Sequence, residues 1–256
     1  MEATLDLDLT RFNAALSATL AESKREAEVV LKEQARGVIR TMIDLTPPGS
    51  KGVRGIAARQ QGEAAVEVGI RGIYGTPSQA YDALRRDAAP GIAEGFWRHL
   101  KRGDFDEASQ LSRAYLDGRG LYEFDRGRLH QDLKRGRARP GNRRKPIYYT
   151  YEPAEVDAYI KDIQKRVGWL AAGWNMAAAK FGIEPPAWIW RHSAPGKADL
   201  VITDTSLKAV MTNGVKYASQ VEDLVRRLDW ALDYQAGAME RRTANMLESV
   251  LKRVIG

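Results

Sequence analysis

The chain has no cysteine and only three histidines in 256 residues. The first absence rules out disulfides and thiolate metal ligands. His99, His130 and His192 lie too far apart in sequence to form a ligand pair on one helix. No run approaches the roughly 18 consecutive apolar residues of a membrane-spanning helix. The opening MEATLDLDLT lacks the basic start and apolar stretch of a signal peptide. The expectation is a chain made and folded in the cytoplasm, with no membrane partner. Also missing are a GxSxG elbow, a GxxxxGK[ST] loop, a GxGxxG after a strand and an HExxH pair. The sequence therefore points away from an enzyme, with no catalytic, cofactor or metal residues to name and no cofactor expected.

The polar groups that remain have bland readings. Asp104 and Glu107 stand at capping-box spacing, so the acidic cluster Asp104, Asp106, Glu107 is read as a helix start. Asp199 and Asp204 flank a short strand and are read as turn residues. Trp188, Trp190, Arg191 and His192 are read as core or interface packing, with a binding cleft as the alternative if Trp188 to Trp190 is extended.

The charge is concentrated. The net charge is +7, and residues 126–145 hold nine bases (Arg126, Arg128, Lys134, Arg135, Arg137, Arg139, Arg143, Arg144, Lys145) against the single acid Asp132. That window carries +8, leaving −1 for the rest of the chain. Arg135, Arg137, Arg139, Arg143, Arg144 and Lys145 are the candidate contacts to DNA or to an acidic partner, because each base beside a phosphate releases condensed counterions. A solvated loop is the competing reading. Tyr148, Tyr149 and Tyr151 follow and suit either base stacking or strand packing.

Apolar spacing predicts the architecture. Phe12, Leu16, Leu20, Ala27, Val30, Leu31, Val38, Ile39 and Met42 mark a helix over 10–45 with Thr10 as its cap, closed by Pro47-Pro48-Gly49. A polar loop follows to Gly62, and the alternation Val66, Val68, Ile70 predicts a strand over 64–70. Short helices are expected over 78–89, 92–101, 104–116 and 121–135, then the basic arm. Pro153 opens a long central helix to Phe181. Runs 200–203 and 207–212 predict a hairpin, and the apolar residues Val221, Leu224, Val225, Leu228, Leu232, Met239, Met246, Val250 and Leu251 a long C-terminal helix over about 217–254. The fold class is α+β: long N-terminal, central and C-terminal helices around a small antiparallel sheet, with a helical insertion. Residues 1–71 and 149–256 form the core domain, and 72–148 the insertion ending in the basic arm. Helices this long leave apolar seams for neighbouring subunits to cover.

Several short phrases resemble one family. Asp44-Leu45-Thr46-Pro47-Pro48-Gly49 after a long helix resembles the start of tailed-bacteriophage tail-completion and head–tail joining (neck) proteins. Leu170-Ala171-Ala172-Gly173-Trp174 is similar to the family's "leucine, small, glycine or serine, tryptophan" phrase. Asn213-Gly214-Val215-Lys216-Tyr217-Ala218 is similar to its "asparagine, then Tyr-Ala" phrase before the last helix. Pro186-Ala187-Trp188 and the Met239 region fit the same group. Pro47-Pro48-Gly49-Ser50 departs from the usual "Pro, Val, Asp, Thr, Gly" loop, and 72–148 has no counterpart. The resemblance implies a β-structure after the Pro-Gly loop and a non-enzymatic structural virion component assembled in the host bacterial cytoplasm. It further implies a homo-oligomeric ring of six copies in the neck. Portal or head–tail adaptor proteins would lie on one side and tail-tube or terminator proteins on the other, with DNA in the lumen. The alternative is a nucleic-acid-binding protein using the basic arm 126–145.

Overall fold

The computed structural model describes residues 5–6, 24–50, 52–134, 146–203, 207–218, 221 and 224–255. The protein is α+β. It divides into two compact units, Met1–Gly62 with Val167–Gly256, and Glu63–Arg166. The insertion expected over 72–148 falls inside the second unit, whose limits reach further at both ends.

In the first unit, β1 (Leu5–Asp6) and α1 (Lys24–Leu45) are followed by α2 (Gly55–Arg71), which begins here and ends in the second unit. Further along lie α8 (Trp169–Ala172), α9 (Asn175–Lys180), α10 (Ala187–Trp190), β5 (Gly196–Ile202), β6 (Leu207–Asn213) and α11 (Leu224–Ile255). Strands β5 and β6 form an antiparallel hairpin from Gly196↔Asn213 to Ile202↔Leu207, and β1 adds antiparallel to β6. The expected turn at 204–206, the Thr10 cap and the first part of the N-terminal helix lie outside the described residues.

Leu31, Ala35, Val38, Ile39, Met42 and Leu45 of α1 are buried, a three- and four-residue rhythm that gives the helix one greasy face. That helix packs against α8, α9, β6 and α11. It runs antiparallel to α11: Glu33 pairs with Arg242 at 2.7 Å, Thr41 accepts from Gln235 at 3.4 Å, and Leu45 O accepts from Arg227 at 3.3 Å. At Gly37 the Gln235 side chain fills the place of a Cβ, its Oε1 2.7 Å away.

The second unit contains β2 (Tyr74–Gly75), α3 (Pro77–Asp87), α4 (Ile92–Arg102), α5 (Phe105–Tyr115), β3 (Leu121–Tyr122), α6 (Arg128–Lys134), β4 (Tyr148–Thr150) and α7 (Pro153–Gln164). Its sheet has the order β2-β4-β3, with β4 parallel to both neighbours, a feature the expected antiparallel sheet did not include. Two apolar clusters support it. Ala80, Leu84, Phe96, Ala108, Leu116 and Tyr149 join α3, α4 and α5 to β4. Ile70, Tyr74, Phe124, Val156 and Ile160 join α2 and α7 to β2.

Four expectations are corrected. The strand over 64–70 is the end of helix α2, and so the resemblance's β-structure after the Pro-Gly loop is also absent there. Ala, Gln and Glu favour helix through this stretch. Ile70 is buried while Val68 is 73% exposed, so Val66 and Ile70 share a helical face that alternation had assigned to a strand. The central helix is three pieces, α7, α8 and α9. Gly168 breaks it at φ +100°, with the Trp188 ring 2.7 Å from where a Cβ would be. The helix over 121–135 begins only at Arg128, because Arg126 and Gly127 both take positive φ. Asp104 makes no side-chain cap bond; the capping box is Thr76 with Gln79, whose two bonds measure 3.3 and 2.9 Å. Among the described residues no helix is long and apolar enough to cross a membrane.

Candidate functional site

The end of α1 is the most elaborately built part of the first unit. Thr46 donates both its N–H, at 2.9 Å, and its hydroxyl, at 2.6 Å, to Met42 O. The same hydroxyl accepts the Trp174 indole N–H at 3.0 Å, with Trp174 wholly buried. Pro47-Pro48 is joined by a cis bond, and Gly49 N–H closes the turn on Thr46 O at 3.0 Å. Gly49 is required, since a Cβ would collide with Asp44 O. Arg227 of α11 reaches across to Leu45 O and Gly49 O, at 3.3 and 3.0 Å, placing a cation where α1 has its negative end. Asp44 faces Arg54 at 3.7 Å; burial pushes its carboxyl above the usual range and the Arg54 charge pulls it back.

The other two phrases meet beside this turn. Asn213, fully buried at the end of β6, donates to Leu170 O at 2.8 Å and accepts from Val215 N–H at 3.1 Å. A Cβ on Gly173 would run into the Asn213 amide, and one on Gly196 into Gly173 O. The glycine before Trp174 is thus what lets the hairpin lie against α8 and α9. Ala218, one residue beyond Tyr217, is also fully buried.

A cleft of about 490 Å³ opens on this arrangement, lined by Leu45, Ser50, Gly52, Arg226, Arg227 and Trp230. Along α11, Arg227, Trp230 and Tyr234 share one face by their three- and four-residue spacing. The Trp230 and Tyr234 rings stack at 5.5 Å and 20°, and Tyr234 is 58% exposed. An amphipathic aromatic pair beside a guanidinium suits protein recognition, where Trp, Tyr and Arg dominate contact energy.

Arg135, Arg137, Arg139, Arg143, Arg144 and Lys145 lie outside the described residues. Of the nearby bases, Arg126 and Arg128 are exposed, with Arg128 4.0 Å from Asp132. The tyrosines after the arm serve packing. Tyr149 is buried, Tyr148 meets Tyr74 and Tyr122 edge-on, and Tyr151 stacks on Phe105 at 4.1 Å. Trp188 and Trp190 do not share a face, because Ala187–Trp190 is a helical turn and not an extended piece. Trp188 is buried on Gly168 and Trp190 is half exposed, while His192 Nε2 donates to Val167 O at 3.0 Å. The four residues considered for a cleft do not converge.

Sequence reading missed one polar cluster in the second unit. Asp125 accepts from Tyr74 at 2.7 Å and from the N–H groups of Gly127 and Leu129 at 2.9 and 2.8 Å, so it caps α6. His130 N–H donates to Tyr74 Oη at 3.2 Å, and His130 Nδ1 lies 2.9 Å from Tyr159 Oη. Burial holds the His130 imidazole below its ordinary pKa and Tyr74 well above its own. Asp125 before a turn with glycine was the available signal. These bonds hold α6 to β2 and α7. Among the described residues no three His, Asp or Glu side chains gather as a metal site would need.

No protein family, curated protein or solved structure matches the chain. The functional reading therefore rests on the residues themselves.

Proposed function

We propose that this protein is a structural, non-enzymatic virion component of a tailed bacteriophage. It forms a ring, of six copies, in the neck, and joins the portal or head–tail adaptor to the tail tube or its terminator as a tail-completion or connector protein. One observation carries the reading. The three phrases that resemble the family, distant in sequence, interlock through Trp174 with Thr46 and through Asn213 with Leu170 and Gly173. All three phrases thus meet in one buried joint of the first unit, where a shared family core would place them. The exposed Trp230–Tyr234 pair and its cleft supply a surface of the kind a ring neighbour covers.

The experiment is to remove the gene from its phage and image the lysate. Filled heads and finished tails that fail to join are expected, with joining restored by supplying the chain. Normal infectious particles would overturn the proposal. The second reading, a nucleic-acid-binding protein, draws on the nine bases against one acid in 126–145. It calls for the isolated chain to bind DNA or RNA with an affinity that falls steeply with salt.

A further inference from the structure

A second cleft, of about 210 Å³, lies within the second unit and is lined by Gln79, Asp82, Ala83, Arg86, Arg119, Pro146 and Tyr149. At about 30 Å³ per water it holds roughly seven waters, enough for a phosphate group. The construction is specific. Gln79, Asp82, Ala83 and Arg86 stand at i, i+3, i+4 and i+7 on α3, so a single helix face forms one wall. Tyr149 on the central strand β4 forms another, fixed because its ring packs where a Gly75 side chain would be.

Arg119 is the unusual member. Its side chain is only 11% exposed, with Nε donating to Leu116 O at 2.8 Å and Nη2 pairing with Asp117 at 3.1 Å. Nη1 is buried and has no hydrogen-bond partner among the described residues. Leaving a buried charged donor unpaired is costly, so such a group calls for an acceptor. Arg119 Cζ stands 5.9 Å from the centre of the Tyr149 ring. Burial raises the Tyr149 pKa, with the charges of Arg119 and Arg86 acting against that rise and those of Asp87 and Asp117 adding to it. Arg86 Nε is held by Asp87 at 3.1 Å. Among the described lining residues Asp82 is the one acid beside two arginines, each of which also pairs with an acid next to the cleft, Arg86 with Asp87 and Arg119 with Asp117.

We infer that this cleft binds a phosphate group, received by the guanidinium groups of Arg86 and Arg119 and the hydroxyl of Tyr149. Planar guanidinium forks match phosphate oxygens, and the hydroxyl adds a third donor. The phosphate comes either as a free anion or small phosphoester, or from a nucleic-acid backbone. This site is separate from the cleft at Trp230 and does not depend on the neck reading.

The test is calorimetric titration of the full chain with inorganic phosphate, and separately with a short DNA duplex, at constant ionic strength set by chloride. Arg86→Gln and Tyr149→Phe each remove one donor, and each weakens phosphate binding about tenfold, the worth of one hydrogen bond to a charged group. Asp82→Asn removes the like charge and tightens binding, an effect that damage to the fold would not produce. Duplex binding that responds to the three variants in the same way, and that phosphate displaces, identifies the backbone as the source. Phosphate binding without it identifies the free anion. The proposal is overturned if neither probe binds saturably, or if phosphate binding is the same in all three variants. Duplex binding that the variants leave unchanged, without phosphate binding, overturns it as well.

Discussion

The Trp174 indole donates to the Thr46 hydroxyl at 3.0 Å, joining residues 128 positions apart in the chain. Both groups are buried, so neither has water as a substitute. The Thr46 hydroxyl has both its roles filled, accepting from the indole and donating to Met42 O at 2.6 Å. Thr46→Val keeps the shape and removes the acceptor. It is expected to cost about 1–3 kcal/mol in urea unfolding, because the indole N–H is left unpaired. Thr46→Ser keeps the hydroxyl and should cost less. Equal losses in the two would show that the bond contributes nothing.

Gly173 and Asn213 form the next joint. Gly173→Ala forces a methyl into the Asn213 amide and is expected to cost about 1–3 kcal/mol. Asn213→Ala frees that space but strands Leu170 O and Val215 N–H. The double variant is therefore expected to lose less than the sum of the singles, as contacting residues do in a mutant cycle. Strict additivity would contradict the contact.

Much of the first unit was legible from apolar spacing. Leu31, Val38, Ile39 and Met42 were assigned to one stripe and are buried together. The hairpin appears over Gly196–Ile202 and Leu207–Asn213, the first strand starting four residues before the expected run 200–203 and ending one short of it, the second enclosing 207–212. What failed has a common cause. Val66, Glu67, Val68 alternate over a few residues, and a short alternation does not separate a strand from a helix whose neighbours are Ala, Gln and Glu. Gly168 lies inside the helix expected from Pro153 to Phe181, yet it takes a left-handed φ with the Trp188 ring, twenty residues on, against the place of a Cβ. The clefts were hidden for the same reason. Arg119 comes to line one cleft with Arg86 and Tyr149 only through tertiary packing, and no local pattern announces it. Trp230 and Tyr234 carried a weak local sign, an aromatic pair four apart and outside the apolar stripe read along the C-terminal helix.

Acid should loosen the second unit through His130. Burial first, and the Lys134 charge next, hold its pKa below the ordinary 6.5. The neighbouring hydroxyls are those of Tyr159, at 2.9 Å from Nδ1, and Tyr74, which receives the His130 N–H. As pH falls the unfolded chain takes up the proton before the folded one does. Stability is therefore full above about pH 6.5 and declines below it until the folded imidazole protonates. The slope attributable to this one proton is at most about 1.4 kcal/mol per pH unit. Urea unfolding of His130→Gln between pH 7 and 5 should show a flatter dependence than the native chain. An unchanged slope would mean that His130 is not the group responding.

The basic arm has its own test. Replacing Arg137, Arg139, Arg143, Arg144 and Lys145 with serine removes five of the nine bases in 126–145. If the arm faces DNA or an acidic neighbouring ring, particle yield and DNA retention fall, and the loss deepens at higher salt. Unchanged particles would take the arm out of the mechanism.

The most direct measurement is cryo-electron microscopy of the intact phage particle at its head–tail junction. The proposal predicts a six-fold ring of this chain between portal and tail tube, with Trp230 and Tyr234 covered by a neighbouring subunit. A particle whose junction contains no copy of the chain, or a chain whose aromatic pair stays in solvent in every subunit, would contradict it.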